Sequence, residues 1–331
     1  MENHKWNVRE LLGLSGSYWK TCTLHAGVRL GVFTLIGEKD AGADKIAHEL
    51  EADIRGVSAL LNALTAMGLL TKHQGRYANT PESKSFLVDD SDKYVGHIIM
   101  HHHHLMHAWA DLPQAVETGR PVRQRSSFRQ DEERESFLMG MFNLAMNIAP
   151  RVADEIDLGG RRHLLDLGGG PGTYAIHFCL ANSELRATVY DLPTTEPFAL
   201  RTIERFNLLD RISFVPGNYI EAEIKGSYDV AWLSQVLHGE GPDDCEKMIQ
   251  KTVSVLQSGG LILIHDFILN DNLDGPLFPT LFSLNMLINT PDGQAYSEGQ
   301  ISSMLADAGV KEIQRLPFSG PNDSGIIAGV V

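Results

Sequence analysis

At 331 residues, with 43% hydrophobic and 21% charged side chains, the chain is long enough for two domains, or for one with a large extension, and has the composition of a soluble globular protein. Lys and Arg number 28 and Asp and Glu 42, and the resulting net charge of −14 argues against a nucleic-acid backbone or an anionic membrane surface as partner. Cys22, Cys179 and Cys245 show neither metal nor disulfide spacing, no signal-peptide pattern opens the chain and no apolar run reaches bilayer length, so the cytoplasm is the expected location.

Residues from about 8 to 150 read almost entirely as helix. Leu24 to Phe33 carries apolar residues at helical spacing, predicting one helix with a buried face. Asp44–Leu50 and Val57–Leu70 predict a helix-turn-helix, and Thr71–Thr80, with Gly75 at its centre, predicts the hairpin of a winged helix. A DNA-binding regulator with a cofactor-sensing domain is therefore one alternative. Against it, Lys45, Arg55, Lys72 and Arg76 are balanced by Asp44, Glu49, Glu51 and Asp53, with no basic stripe along a recognition helix. An interaction surface is the better expectation.

Six histidines follow, His97, His101, His102, His103, His104 and His107. His97, His101 and His104 share a helical face, but no carboxylate or cysteine joins them at ligand spacing, so no metal is expected and a polar cavity or subunit contact is the alternative. Phe137, Met139, Met141, Phe142 and Met146 then form a stretch suited to core packing or to the walls of a cavity for an irregular ligand.

From about residue 160 strands and helices alternate, predicting an α/β sheet with strands at His163–Leu167, Ala187–Asp191, Ile212–Pro216, Tyr228–Leu233 and Leu261–Asp266, and a final apolar run at Ile326–Val331. The first strand runs into Asp166-Leu167-Gly168-Gly169-Gly170-Pro171-Gly172, a strand-loop-helix entry where glycines let backbone approach a ligand. Thr173 stands where a dinucleotide fingerprint has its third glycine. Asp166 sits badly for a pyrophosphate and well for an ammonium group, so S-adenosylmethionine fits better than NAD, leaving a dehydrogenase as an alternative. Asp191, 19 residues beyond Gly172, ends the second strand where such folds bind a ribose diol. It could also cap the turn through Pro193. Asp166, Asp191, Asn218, His238 and Asp266 all fall at carboxyl ends of strands, on one crevice.

With these landmarks the chain resembles the S-adenosylmethionine-dependent O-methyltransferases that act on small molecules, the class of plant phenolic, bacterial natural-product and acetylserotonin enzymes. The resemblance covers nearly the whole chain and rests on the glycine loop, Asp191-Leu192-Pro193, Leu237-His238 followed by Asp243-Asp244-Cys245, Gly259-Gly260 before a strand, and Asn289-Thr290-Pro291-Asp292-Gly293. It implies a doubly wound Rossmann-like domain behind an N-terminal, all-helical, winged-helix-like dimerisation domain. The expected division is 1–95 for dimerisation and 96–331 for the cofactor domain, including a helical acceptor-pocket segment at 96–155. A homodimer is implied.

The resemblance also implies roles. Gly168 and Gly170, with Asp166, would hold the methionine end of the cofactor, and Asp191 and Leu192 the ribose. Asn218 and Tyr219 stand where the family has Asp-Met beside the adenine, and an amide carbonyl can still accept the adenine amino hydrogen. Ser234 stands where plant members often have lysine. His238 falls on the catalytic histidine, a general base for a hydroxyl acceptor, and Asp266 on a flanking glutamate. The second flanking glutamate maps to Ala295 and is missing, and the usual Asp-Trp after the histidine is Gly239-Glu240. A sulfur or nitrogen acceptor is therefore an alternative. Trp109, Met139, Phe142, Met146, Asn285, Met286 and Asn289 are expected to shape the acceptor pocket.

Overall fold

The computed structural model describes residues 5–125 and 131–331. It divides into two compact units, Met1–His104 and Leu105–Val331, the division falling within a helix that spans Gly96–Ala110.

The first unit contains α1 (Val8–Ser15), α2 (Tyr18–Arg29), α3 (Val32–Ile36), β1 (Asp40–Gly42), α4 (Ala43–Glu49), α5 (Ile54–Ala66), β2 (Leu70–His73), β3 (Arg76–Asn79), α6 (Pro81–Leu87) and the start of α7 (Gly96–Ala110). Two expected helices are shorter than their apolar patterns. The one over Leu24–Phe33 breaks after α2 because Gly31 turns the backbone at φ +66° into α3. The one running to Leu70 stops at Ala66, where Gly68 turns the chain at φ +77° and Leu70 pairs with Asn79 as a strand. The hairpin is present, and β1 pairs with β3 to give a small three-stranded sheet in the order β1-β3-β2 within this mainly helical unit. Phe33, Leu61 and Leu64 are fully buried at its centre, whereas α1 buries nothing. Among the described residues no His, Cys, Asp or Glu side chains group as a metal site. The ring of His25 instead packs edge-on to His103 at 5.5 Å, and Arg29 Nη1 lies 3.0 Å from His103 Nε2.

The second unit continues through α8 (Leu112–Thr118), α9 (Asp131–Met146) and α10 (Ala149–Glu155) into β4 (His163–Leu167), α11 (Thr173–Ala181), β5 (Arg186–Asp191), α12 (Glu196–Arg205), β6 (Ile212–Pro216) and β7 (Tyr228–Ser234). It then forms α13 (Pro242–Ser254), β8 (Leu256–Leu269), α14 (Leu277–Asn289), β9 (Tyr296–Ser297), α15 (Glu298–Asp307), β10 (Lys311–Ser319) and β11 (Ser324–Val330). The sheet order is β10-β11-β8-β7-β4-β5-β6, with β9 paired to β8. The strands from β4 to β8 on this path are parallel, and β11 and β10 close one edge antiparallel.

The central strands are mostly apolar because helices cover both faces. Leu164, Val230, Trp232 and Leu263 fill one face, and Leu165, Leu167, Leu233 and Ile264 the other. Each such side chain contributes on the order of 1.5–3 kcal/mol. Strand order reverses at β4, between β5 and β7, which opens a crevice at the carboxyl ends of these strands.

Candidate active site

The loop Gly168–Gly172 leaves β4 and enters α11. Gly168 has φ +65°, and a Cβ there would stand 2.6 Å from Val236 Cγ2, so glycine is needed for conformation and for space. The Gly170 N–H donates to Asp191 Oδ2 at 2.8 Å, tying the loop to the end of β5. Asp191 Oδ1 accepts from Leu192 N at 2.6 Å and Thr195 Oγ1 at 3.0 Å. Asp191 therefore caps its own turn and braces the loop, and with three bonds on about four acceptor positions it retains capacity for a sugar hydroxyl.

Asp166 does not face the crevice. It is fully buried beneath Gly169, with Oδ2 accepting from Ala175 N at 3.2 Å and Oδ1 lacking a partner among the described residues. In this position Asp166 holds the loop to the first turn of α11. Burial pushes this carboxyl up to about 7, against the pull of the Ala175 N–H.

Ser234 is likewise turned under the crevice floor. Its Oγ lies 2.9 Å from His265 Nδ1 and bonds Tyr174, and the His265 ring stacks on Trp232 at 5.6 Å. Burial pulls fully buried His265 down to about 4, so it is neutral at pH 7. These two groups oppose each other in acid. Between about pH 4 and 6.5 the unfolded chain holds a proton on His265 that the folded one lacks, so this site loses stability as pH falls. Over nearly the same window the folded chain holds a proton on Asp166 that the unfolded one lacks, which has the opposite slope. Asp166→Asn keeps an acceptor for Ala175 but removes the second effect. Its stability in urea is expected to fall by about 3 kcal/mol more than wild type between pH 6.5 and 4. Parallel pH curves for the two proteins would refute this.

Beyond β6, Asn218 Oδ1 accepts from Ile220 N at 3.0 Å, turning the chain, and Tyr219 Cε1 lies 3.6 Å from the position of a Gly168 Cβ. Lys251, on α13, clamps this segment by donating to the carbonyl oxygens of Tyr219, Ile220 and Ala222 at 3.2, 2.5 and 3.0 Å. No motif marks Lys251, so the sequence did not single it out.

His238 follows β7 in a short 3-10 turn. Gln235 adopts φ +59°, a costly conformation for a side-chain-bearing residue, and its N–H donates to His265 O at 2.8 Å, swinging the chain back over β8. His238 Nδ1 then lies 2.7 Å from Asp266 Oδ1. Asp266 is nearly fully buried and is fixed by Phe267 N at 2.8 Å and His238 N at 3.4 Å. Phe282 meets the imidazole edge-on at 4.7 Å and Phe267 stacks on it at 6.0 Å. Behind the turn, Tyr296 Oη donates to Glu240 O at 2.7 Å and Cys245 Sγ to Leu237 O at 3.2 Å. A Cβ on Gly293 would stand 2.6 Å from His238 O, so only glycine permits this packing. Phe267, Phe282 and Tyr296 were legible only as generic apolar positions.

The expected acceptor residues separate into two groups. Trp109 Nε1 donates to Asn285 Oδ1 at 3.2 Å, Asn289 Nδ2 bonds the same atom at 3.3 Å, and Arg123 Nη1 donates to Asn289 Oδ1 at 3.3 Å. Met286 is buried on the same helix, α14. Met139 and Met146 make other contacts. Their sulfurs lie 3.9 Å from Arg201 Nη2 and 3.4 Å from His177 Nε2, so this side of α9 packs on α12 and α11. Phe142 is buried. The helical Met-rich pattern marked burial without saying which neighbour it buries against.

The crevice suits a cofactor with a sugar and no phosphate. It offers loop N–H groups and the Asp191 carboxylate, a Cβ on Gly170 would meet nothing within 4 Å, and segments 168–172 and 191–195 contain no Lys or Arg. Comparison with known proteins agrees. Residues 109–311 match the O-methyltransferase domain and residues 12–89 the O-methyltransferase dimerisation domain. The chain is 32% identical to the 3-hydroxy-5-methyl-1-naphthoate 3-O-methyltransferase of Streptomyces sahachiroi over 97% of this chain and 94% of that one. It is 28% identical to the tetracenomycin polyketide synthesis 8-O-methyl transferase TcmO of Streptomyces glaucescens, covering 96% and 95%. An O-methyltransferase family protein from Burkholderia thailandensis superposes with a TM-score of 0.89 at 26% identity, covering 99% and 98%. The dehydrogenase and DNA-binding alternatives thereby fall, and the chain belongs to the S-adenosylmethionine-dependent O-methyltransferase family.

Proposed function

We propose that the enzyme methylates a hydroxyl of a small aromatic molecule, with His238 as general base and Asp266 as its orienting partner. The observation that carries this reading is the 2.7 Å contact between His238 Nδ1 and Asp266 Oδ1 inside the wall of Phe267 and Phe282. With Nδ1 directed at a carboxylate, Nε2 is the nitrogen left to accept a proton, and Asp266 stabilises the imidazolium that results. S-adenosylmethionine supplies a methyl group already activated by its sulfonium charge. The protein's task is alignment, exclusion of water and removal of one proton. Asp191 and the Gly168–Gly170 backbone hold the sugar and methionine ends, and Asn218 and Tyr219 flank the adenine. Phe267 and Phe282 about His238, with Phe278 4.8 Å from Phe267, offer flat apolar surface to an aromatic acceptor, while Trp109, Asn285 and Asn289 orient it.

The name of the Streptomyces sahachiroi relative, a naphthoate 3-O-methyltransferase, supports an aromatic hydroxyl. Ala295, where a second carboxylate would flank the histidine, favours the sulfur or nitrogen alternative. Incubation with S-adenosylmethionine and a panel of phenols, naphthols, thioethers and aryl amines separates them by mass spectrometry. Methyl ethers are expected, and methylation confined to sulfur or nitrogen would refute the hydroxyl reading.

The same reading includes a homodimer formed through the first unit. Helix α1 and the start of α2 carry Leu11, Leu12, Leu14, Tyr18 and Trp19 on the surface, with Leu12 and Trp19 each 68% exposed. An apolar patch of this kind marks a partner surface, and a second copy is the partner that the dimerisation domain supplies. Leu12→Asp combined with Trp19→Asp is expected to convert the dimer to a monomer in light scattering. A dimer that survives both charges would place the interface elsewhere. The described residues contain no helix long and apolar enough to cross a membrane, and the unpaired cysteines suit a reducing cytoplasm.

A further inference from the structure

The acceptor side of the crevice holds charged groups that the catalytic pair does not use. Arg120, Arg123 and Arg125 crowd into six residues without an acid, in a chain of net charge −14. Two of them turn inward. The Arg123 side chain is 6% exposed and pairs with Glu133 at 2.5 Å and Asn289 at 3.3 Å. Arg125 is 26% exposed, and its Nη1 lies 2.8 Å from Glu240 Oε1, 115 residues away in sequence.

Among the described residues, Arg125 commits one of five N–H donors to that pairing. Its Nη2 lies beside Gly239, 3.4 Å from where a Cβ would stand, and therefore one residue from His238. Gly239 and Glu240 are the two residues that replace the family's Asp-Trp, and together they create the niche: the glycine leaves room for the guanidinium and the glutamate tethers it. The pair also lies within electrostatic reach of Tyr219, in the segment beyond β6. Burial first, then the Glu240 carboxylate, pushes the Tyr219 phenol up, and Arg125 opposes that push.

We propose that Arg125 is a specificity-determining residue that reads a carboxylate on the hydroxyaryl acceptor, using the guanidinium donors that Glu240 leaves open. The proposal rests on the reading of the His238 crevice as the acceptor site. A guanidinium fork matches the planar geometry of a carboxylate, and a half-buried one gains more from such a partner than an exposed one does. A neutral acceptor such as an amide offers one uncharged oxygen in place of a charged, two-oxygen partner, which costs binding. The selected class is thus hydroxylated aromatic acids, the hydroxyl toward His238 and the acid toward Arg125.

The test uses the full chain, S-adenosylmethionine and two acceptors on one hydroxyaryl skeleton, a carboxylic acid and its primary amide. Wild type is expected to favour the acid about 10-fold or more in kcat/KM. Arg125→Gln should collapse the ratio by raising KM for the acid, and Arg125→Lys should restore it only in part. S-adenosylhomocysteine affinity, measured by calorimetry, should be the same in all three proteins. Equal use of acid and amide by wild type overturns this proposal alone, as does a loss in Arg125→Gln shared by both acceptors. Weakened S-adenosylhomocysteine binding in Arg125→Gln overturns it by assigning the arginine to the cofactor. Methylation of neither acceptor by a protein that binds S-adenosylhomocysteine overturns the hydroxyaryl reading together with it.

Discussion

His238→Ala is expected to lower the methylation rate by about 100-fold or more while S-adenosylhomocysteine binding persists, the usual scale for loss of a positioned base. The reasons are local. A hydroxyl must shed its proton as it attacks, and His238 is held for that task by Asp266 at 2.7 Å and walled by Phe282 and Phe267. The fold should survive the change, because Asp266 keeps its bond from Phe267 N at 2.8 Å and the turn keeps its Tyr296 and Cys245 contacts. Asp266→Asn should cost less, since it disturbs the orientation of the ring without removing the base. Near-full turnover by His238→Ala on its true acceptor would sink the base assignment. It would leave a sulfur acceptor, which has no proton to lose, or catalysis by alignment alone.

What the sequence makes legible about this site follows from what each residue answers to. Strands β4, β5 and β7 announce themselves because burial on both faces demands continuous apolar runs, and their ends expose the polar groups that face a ligand. The bond between Gly170 and Asp191 is the physical counterpart of a spacing that is visible in the chain. Asp166 shows the limit of that logic. Position at a strand end does not give direction, and alternation along β4 aims its side chain under the loop instead of over it. Ser234 likewise bonds inward, to His265. Strand β10 is hidden for a different reason. As an edge strand it is exposed along most of Lys311–Ser319, so it lacks the apolar signature that reveals the others. The pairing of Arg125 with Glu240 is beyond any local pattern, since it joins a connecting segment to the catalytic turn across 115 residues.

Replacing Asp191 by alanine is expected to weaken S-adenosylhomocysteine binding by about 10- to 150-fold, the range for losing a hydrogen bond to a charged group. Two losses coincide. The ribose hydroxyl loses its carboxylate acceptor, and Gly170 N, Leu192 N and Thr195 Oγ1 lose theirs, at 2.8, 2.6 and 3.0 Å. The second loss frees the glycine loop from the end of β5, so the backbone that should cradle the methionine end is no longer preorganised. Asp191→Asn separates the two. Its single carbonyl can still serve Leu192 and Thr195, but the amide nitrogen turned toward Gly170 meets a donor with a donor. Asparagine should therefore recover part of the affinity and leave the loop loose, which hydrogen exchange at Gly170 and its neighbours would register as faster exchange than in wild type. Calorimetry on the three proteins, each checked for a cooperative thermal transition, decides the matter. If Asp191→Ala binds S-adenosylhomocysteine within threefold of wild type, Asp191 is only a turn cap and the ribose contact must be sought elsewhere on the crevice. If Asp191→Ala and Asp191→Asn are equally weak while loop exchange is unchanged in both, the charge itself carries the affinity and the bracing of the loop contributes little.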